Sequence, residues 1–141
     1  MKSLCTLASV PLLLLSSVAL AEDFSTPTDA VNAYMTGVKT GSGSHIESAF
    51  TDTARIQYYN EQGEYALFTR DEFAALVDRG ENWEVTIEIT DLPITGNAAN
   101  ATVEFTWGDK GQHGYVDYLN LINANGSWRI ANKVAQYVPR D

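Results

Sequence analysis

From Trp83 to Tyr137 apolar and polar residues alternate with a period of two, the pattern of strands that bury one face and wet the other. In "WEVTIEITDL" Val85, Ile87 and Ile89 share one face, against Glu84, Thr86, Glu88 and Thr90 on the other. "NAANATVEFTW" repeats this, setting Ala101, Val103, Phe105 and Trp107 against Asn100, Thr102, Glu104 and Thr106. Two more runs, "HGYVDYLNLI" and "SWRIANKVAQY", follow the turns "GDKGQ" and "NANG", so the second half reads as a four-stranded antiparallel meander.

The first half has another rhythm. "STPTDAVNAYMTGVKTGSG" opens with capping residues Ser25 and Thr26 and a proline at the first helical position, and it closes on Gly41 and Gly43. Val31, Tyr34 and Val38 recur at helical spacing and form the face expected against the sheet. A second short helix is expected over 44–50. "ARIQYY" and "EYALFT", separated by "NEQG", read as a hairpin, and "TRDEFAALVDRG" reads as a third helix with a capping box of Thr69 and Glu72. The order predicts an α+β domain with helices packed on one face of a strongly curved antiparallel sheet around an internal pocket.

Parity in the third meander strand raises the main question of chemistry. Tyr115, Asp117, Leu119 and Leu121 face one way, and Val116, Tyr118, Asn120 and Ile122 face the other. In the last strand Trp128, Ile130, Asn132 and Val134 are the more apolar set. If Leu119 and Leu121 join Trp128 and Ile130 in the core, Asp117 points inward and Asn132 shares its face. A buried carboxylate needs donors or water, and Asn132, Tyr115, Tyr34 and Tyr58 are the candidates. The alternative is an Asp117 at the strand's open end, solvated or bonded to a neighbouring amide. On the opposite face Val116, Tyr118 and Ile122 would form an apolar patch, from which a homodimer through the outer sheet face is expected.

Composition narrows the function classes. "MKSLCTLASVPLLLLSSVALAED" has a lysine, an apolar run and Ala19-Leu20-Ala21, the layout of a secretory signal cleaved after Ala21. That predicts a periplasmic or secreted protein with a single domain over 22–141 and no membrane attachment after cleavage. The one cysteine, Cys5, leaves with the signal. With 9 basic and 18 acidic residues the formal charge is −9, which disfavours nucleic acid and anionic membranes. With only His45 and His113 and no mature cysteine the usual ligands for zinc or copper are too few, and no D-x-D-x-D-G run is present, so neither a metal nor a cofactor is expected. His113 lies in a glycine-rich turn and reads as a surface histidine, while His45 should cap or line the second helix.

The final third, "YVDYLNLINANGSWRIANKV", resembles the closing hairpin of the nuclear transport factor 2-like (SnoaL-like) superfamily, and in particular its secreted bacterial lumazine-binding branch. "AVNAYMTGVKTGSGSHIESAFTDTARI" is similar to that family's opening helix, small-residue break and entry into the first strand. The resemblance implies a cone-shaped, cystatin-like domain with a pocket, commonly dimeric through its sheet. Asp117 matches the "D-Y-L" position of the lumazine-binding branch, whereas the tyrosine-and-two-aspartates arrangement of the isomerase members is not recognisable.

Three functions are compatible with this. The first is an exported, non-catalytic binder of a small aromatic or apolar molecule, with a pocket of Tyr34, Tyr58, Phe105, Trp107, Tyr115 and Trp128 and a polar anchor of Asp117 and Asn132. The same aromatics serve equally as plain core. The second is an enzyme in which Asp117, its pKa raised in the pocket, is a general acid or base for isomerisation or cyclisation. No nucleophile motif such as G-x-S-x-G is present. The third is an envelope interaction module whose cavity is filled by side chains.

Overall fold

The structure is a computed structural model that describes residues 22–140, so the segment read as a cleaved signal lies outside the described residues. Helix α1 spans Pro27–Thr40 and starts where the sequence signals place it. The Thr26 side chain accepts a hydrogen bond from the Asp29 amide, with Pro27 at the first helical position. It stops at Gly41, whose φ of 69° is the left-handed cap conformation glycine adopts at little cost. Helix α2, Gly43–Ala49, packs so closely on α3, Arg70–Asp78, that a Cβ on Gly43 would lie 2.5 Å from the Ala74 carbonyl oxygen. The Thr69–Glu72 capping box of α3 is formed in both directions.

The strands are β1 Phe50–Tyr59, β2 Tyr65–Thr69, β3 Thr86–Asp91, β4 Ile94–Thr95, β5 Ala98–Trp107, β6 His113–Ala124 and β7 Ser127–Tyr137. They form one curved sheet in the order β2-β1-β7-β6-β5-β3, with β4 on β5. The domain is thus α+β, as the element pattern predicts, but the sheet is mixed: β1 runs parallel to β7. The α3–β6 segment between them in sequence supplies the long connection that a parallel pair requires. The chain from Trp83 to Val85 is irregular, and β3 begins only at Thr86.

Parity holds through β5 and the described length of β6. Ala101, Val103, Phe105, Asp117, Leu119 and Leu121 are buried against Val31, Tyr34 and Ile46, while Tyr118 and Ile122 are exposed. It does not hold through β7. Leu121 pairs with Ile130 but Asn120 pairs with Asn132, so Ala131 is an extra residue with no partner on β6. The pairing of β1 with β7 shifts at the same level. A bulge bends and twists the strand that carries it, which contributes to the curvature. It also exchanges the faces, so Lys133 and Ala135 turn inward and Asn132 and Val134 turn outward.

Candidate functional site

Between the inner face of the sheet and helices α1 and α3 lies a cavity of about 170 Å³. Asp117 is at its floor, 1% exposed, and therefore points inward. Its cross-strand partners are Val103 and Ala135, and the small Ala135 side chain leaves the space above the carboxylate open. Lys133 is a diagonal neighbour of Asp117 across the β6–β7 pair, a separation that a long side chain can bridge.

Three polar groups converge there. The Lys133 ammonium lies 3.0 Å from Asp117 Oδ2 and donates to Tyr34 Oη at 2.7 Å. Tyr34 Oη in turn donates to the same Oδ2. Tyr34 comes from the middle of α1 and is fully buried, edge-on to Phe50 with ring centroids 5.5 Å apart. Lys133 Nζ also lies over the rings of Phe73, Tyr34 and Tyr58, at 5.0, 5.1 and 5.8 Å from their centroids. Rings at this range stabilise an ammonium that has lost most of its water.

Burial, and then the Asp117 charge beside it, push the Tyr34 phenol well above its ordinary value. Burial raises Tyr58, and burial followed by Tyr58 and Asp117 pushes Tyr115 up to about 12. All three phenols are therefore neutral at physiological pH. Among the described residues that line the cavity, Asp117 and Lys133 are the one carboxyl and the one amine.

Of the residues expected from sequence, Tyr34, Tyr58, Phe105, Tyr115 and Asp117 line this cavity. Trp107, Trp128 and Asn132 do not. Trp107 stacks on Tyr115 at 5.6 Å and on His113 at 5.5 Å, and it borders a neighbouring groove with Trp83 and Lys39. Trp128 is core, 5% exposed, with its amide bonded to the Phe24 carbonyl. It is on the inner side of β7 but before the bulge, about 17 Å along the strand from Lys133 at the usual rise. Asn132 is turned to the outer face by the bulge, where its Oδ1 accepts from Asn120 at 3.0 Å.

Lys133, Phe73, Val77, Val38, Trp83 and Ala135 line the cavity although the sequence did not mark them as site residues. An inward Asp117 calls for a counter-charge within diagonal reach, but unbroken alternation along β7 puts Lys133 on the opposite face, and only the bulge at Ala131 turns it inward. Trp83 carries no such signal, because it precedes β3 on an irregular segment anchored by its amide to the Lys39 carbonyl. His45 bonds Ser42 at the start of α2, and His113 bonds Tyr137 Oη at 2.7 Å, so neither reaches the cavity. Among the described residues no cluster of three or more His, Cys, Asp or Glu could hold a metal, and no helix is long and apolar enough to cross a membrane.

A family model described as Putative lumazine-binding matches residues 22–136. No curated protein matches the chain. Among solved structures, the chain is similar to an NTF-2 like protein of unknown function from Silicibacter pomeroyi DSS-3 at 26% identity and a TM-score of 0.69, covering 79% of this chain and 92% of that one. An NTF2-like protein of unknown function from Methylobacillus flagellatus KT shares 27% identity and a TM-score of 0.67, over 79% and 89% of the two chains. A ketosteroid isomerase-like protein from Erwinia carotovora atroseptica SCRI1043 has the same fold at 17% identity and a TM-score of 0.63, over 80% and 94%.

Proposed function

We propose, from the premise that the chain belongs to the Putative lumazine-binding family of the nuclear transport factor 2-like superfamily, that this domain is an exported binder of a small planar aromatic molecule. One observation carries the reading: a hydrogen-bonded Lys133–Tyr34–Asp117 floor under a cavity whose walls are aromatic. A few fixed polar groups in an apolar concavity suit orientation of a ligand. The volume of about 170 Å³ is close to that of cavities of about 150 Å³ that take up benzene. It suits one or two rings.

Binding is favoured over turnover because of how Asp117 is held. The carboxylate is tied through Oδ2 to both Lys133 and Tyr34, which fixes it as an anchor and leaves Oδ1 to meet a ligand. The test is a thermal-shift titration of the protein with a library of one- and two-ring aromatics. A ligand of the native state must raise the midpoint as its concentration rises. Conversion of a hit to product would move the reading to an enzyme with Asp117 as acid or base. A flat response from folded protein would overturn it.

We also propose that the protein is a homodimer through the outer sheet face. Tyr118 and Val134 are cross-strand partners about half exposed, and Gln57 links Val134 to an equally exposed Leu67 on β2. With Ile122 and the half-buried Val116 they form a stripe across four strands, apolar on β2, β7 and β6 and interrupted by Gln57 on β1. A twofold pairing needs one such self-complementary patch. Sedimentation at micromolar concentration should give a dimer, and Tyr118→Glu should give a folded monomer. A monomeric parent protein would defeat the proposal.

A further inference from the structure

We propose that Lys133 is a carbonyl-capturing amine, which condenses with an aromatic aldehyde in the cavity and holds it as a protonated imine. The inference rests on the reading of the cavity as a site for a small aromatic molecule and adds a reversible bond that would hold the ligand there.

Beyond residue 21 the chain has only two other lysines, Lys39 and Lys110, and both are exposed. Lys133 is buried and lines the cavity. Its pairing with Asp117 accounts for the burial of the charge but not for the place of the amine on a cavity wall. An amine is a nucleophile only after it sheds a proton, and a base in contact makes that possible. Asp117 Oδ2 lies 3.0 Å from Nζ, and passing the proton across that gap turns two ions into a neutral acid and a neutral amine. The base acts on Lys133 and not on the ligand, so Asp117 remains an anchor.

The bond changes balance without an oxidant or reductant. The Nζ lone pair attacks the carbonyl carbon and the C=O π pair moves to oxygen, which takes an N–H proton to give a carbinolamine. Asp117 then returns its proton to that hydroxyl, the C–O bond breaks, water leaves, and the nitrogen lone pair closes C=N. The sum is an ammonium and an aldehyde converted to a protonated imine and water, with the carboxylate restored.

The product suits this site better than it suits the surface. It keeps one positive charge at Nζ, so the Asp117 counter-ion continues to stabilise it. So do the rings of Phe73, Tyr34 and Tyr58, whose centroids lie 5.0, 5.1 and 5.8 Å from Nζ. Hydrolysis needs a water at the same carbon, and the lining of Phe73, Val77, Phe105 and Trp83 disfavours one there. An aldehyde fits better than a ketone. Tyr34 Oη at 2.7 Å and Asp117 crowd one side of the nitrogen, which leaves room for one large substituent on the new carbon. The cavity of about 170 Å³ accommodates a ring as that substituent.

Reductive trapping tests this. The protein is incubated near neutral pH with stoichiometric benzaldehyde and cyanoborohydride, which delivers hydride to the iminium carbon and fixes the adduct as a secondary amine. Peptide mass mapping then locates it. A benzyl group should appear on Lys133 at about tenfold or more the level on Lys39, Lys110 or the amino terminus, and that preference should vanish in urea. Benzyl alcohol, which has the ring but no carbonyl, should slow the labelling of Lys133 and not that of the exposed amines. Lys133→Arg keeps a cation beside Asp117 and should lose the cavity adduct, but the mapping on the parent protein does not depend on how that variant folds. Even labelling of the three lysines overturns the proposal. If one- and two-ring aromatics raise the melting midpoint while Lys133 stays unlabelled, capture fails and the aromatic site stands. If no aromatic binds and Lys133 stays unlabelled, both readings fall.

Discussion

The two faces of the β6–β7 pair each carry a polar cluster set into apolar strands, and the two differ mainly in their access to water. On the outer face Asn100, Asn120 and Asn132 form a ladder across three strands, with amide-to-amide bonds of 3.1 and 3.0 Å. On the inner face Lys133, Tyr34 and Asp117 close a network at similar distances, but Asp117 and Lys133 are buried. The outer amides can exchange each partner for water at little cost. The inner ions cannot, and a buried ion pair seldom stabilises a fold more than apolar side chains of the same volume would. The outer cluster therefore reads as ordinary surface, whereas the inner one calls for a role beyond stability.

The largest test of this contrast is to break the inner pair. Lys133→Met leaves the Asp117 carboxylate desolvated with Tyr34 as its remaining donor, and it should cost about 3–5 kcal/mol of unfolding free energy in urea. Asp117→Asn should cost less, because the Lys133 ammonium keeps Tyr34 and three ring faces, and such faces are worth about 0.5–2 kcal/mol. The double variant should recover a large part of the Lys133→Met loss, since it leaves no charge unpaired. Two small and additive single effects would mean that the floor is hydrated and that the two clusters do not differ.

The sequence pattern carried the inner face only part of the way. Alternation along β6 made Asp117 inward as soon as Leu119 and Leu121 were assigned to the core, and the structure agrees. The capping residues Thr26, Thr69 and Glu72 were legible because they act within a few residues of themselves. The counter-ion was not, because Ala131 adds one residue to β7 and nothing in "WRIANKVAQY" betrays it. Trp128, Ile130, Asn132 and Val134 alternate as if the strand were unbroken, so Asn132 seemed to stand where Lys133 stands. The parallel β1–β7 pairing joins the two ends of the domain, and local periodicity holds no trace of it. Trp107 and Trp128 lie on the side of the sheet that parity assigned to them, yet alternation fixes the face of a strand and not which stretch of that face borders a cavity.

The smallest effect comes from the outer ladder. Asn120 bonds both Asn100 and Asn132, so Asn120→Ala removes two side-chain bonds at once, twice what a single surface deletion would remove. Its freed partners face water, and the loss should stay within about 0.5 kcal/mol when measured at a dilution where the protein is monomeric. Repeated at concentrations where the outer faces meet, the same substitution should cost more, because partners shielded by a second copy lose water as their substitute. A cost of about 2 kcal/mol or more already at dilution would show that the outer amides are not solvent-compensated. Polar residues on both faces would then be held by the fold on equal terms, and burial of Asp117 and Lys133 would no longer single out the inner cluster as the functional one.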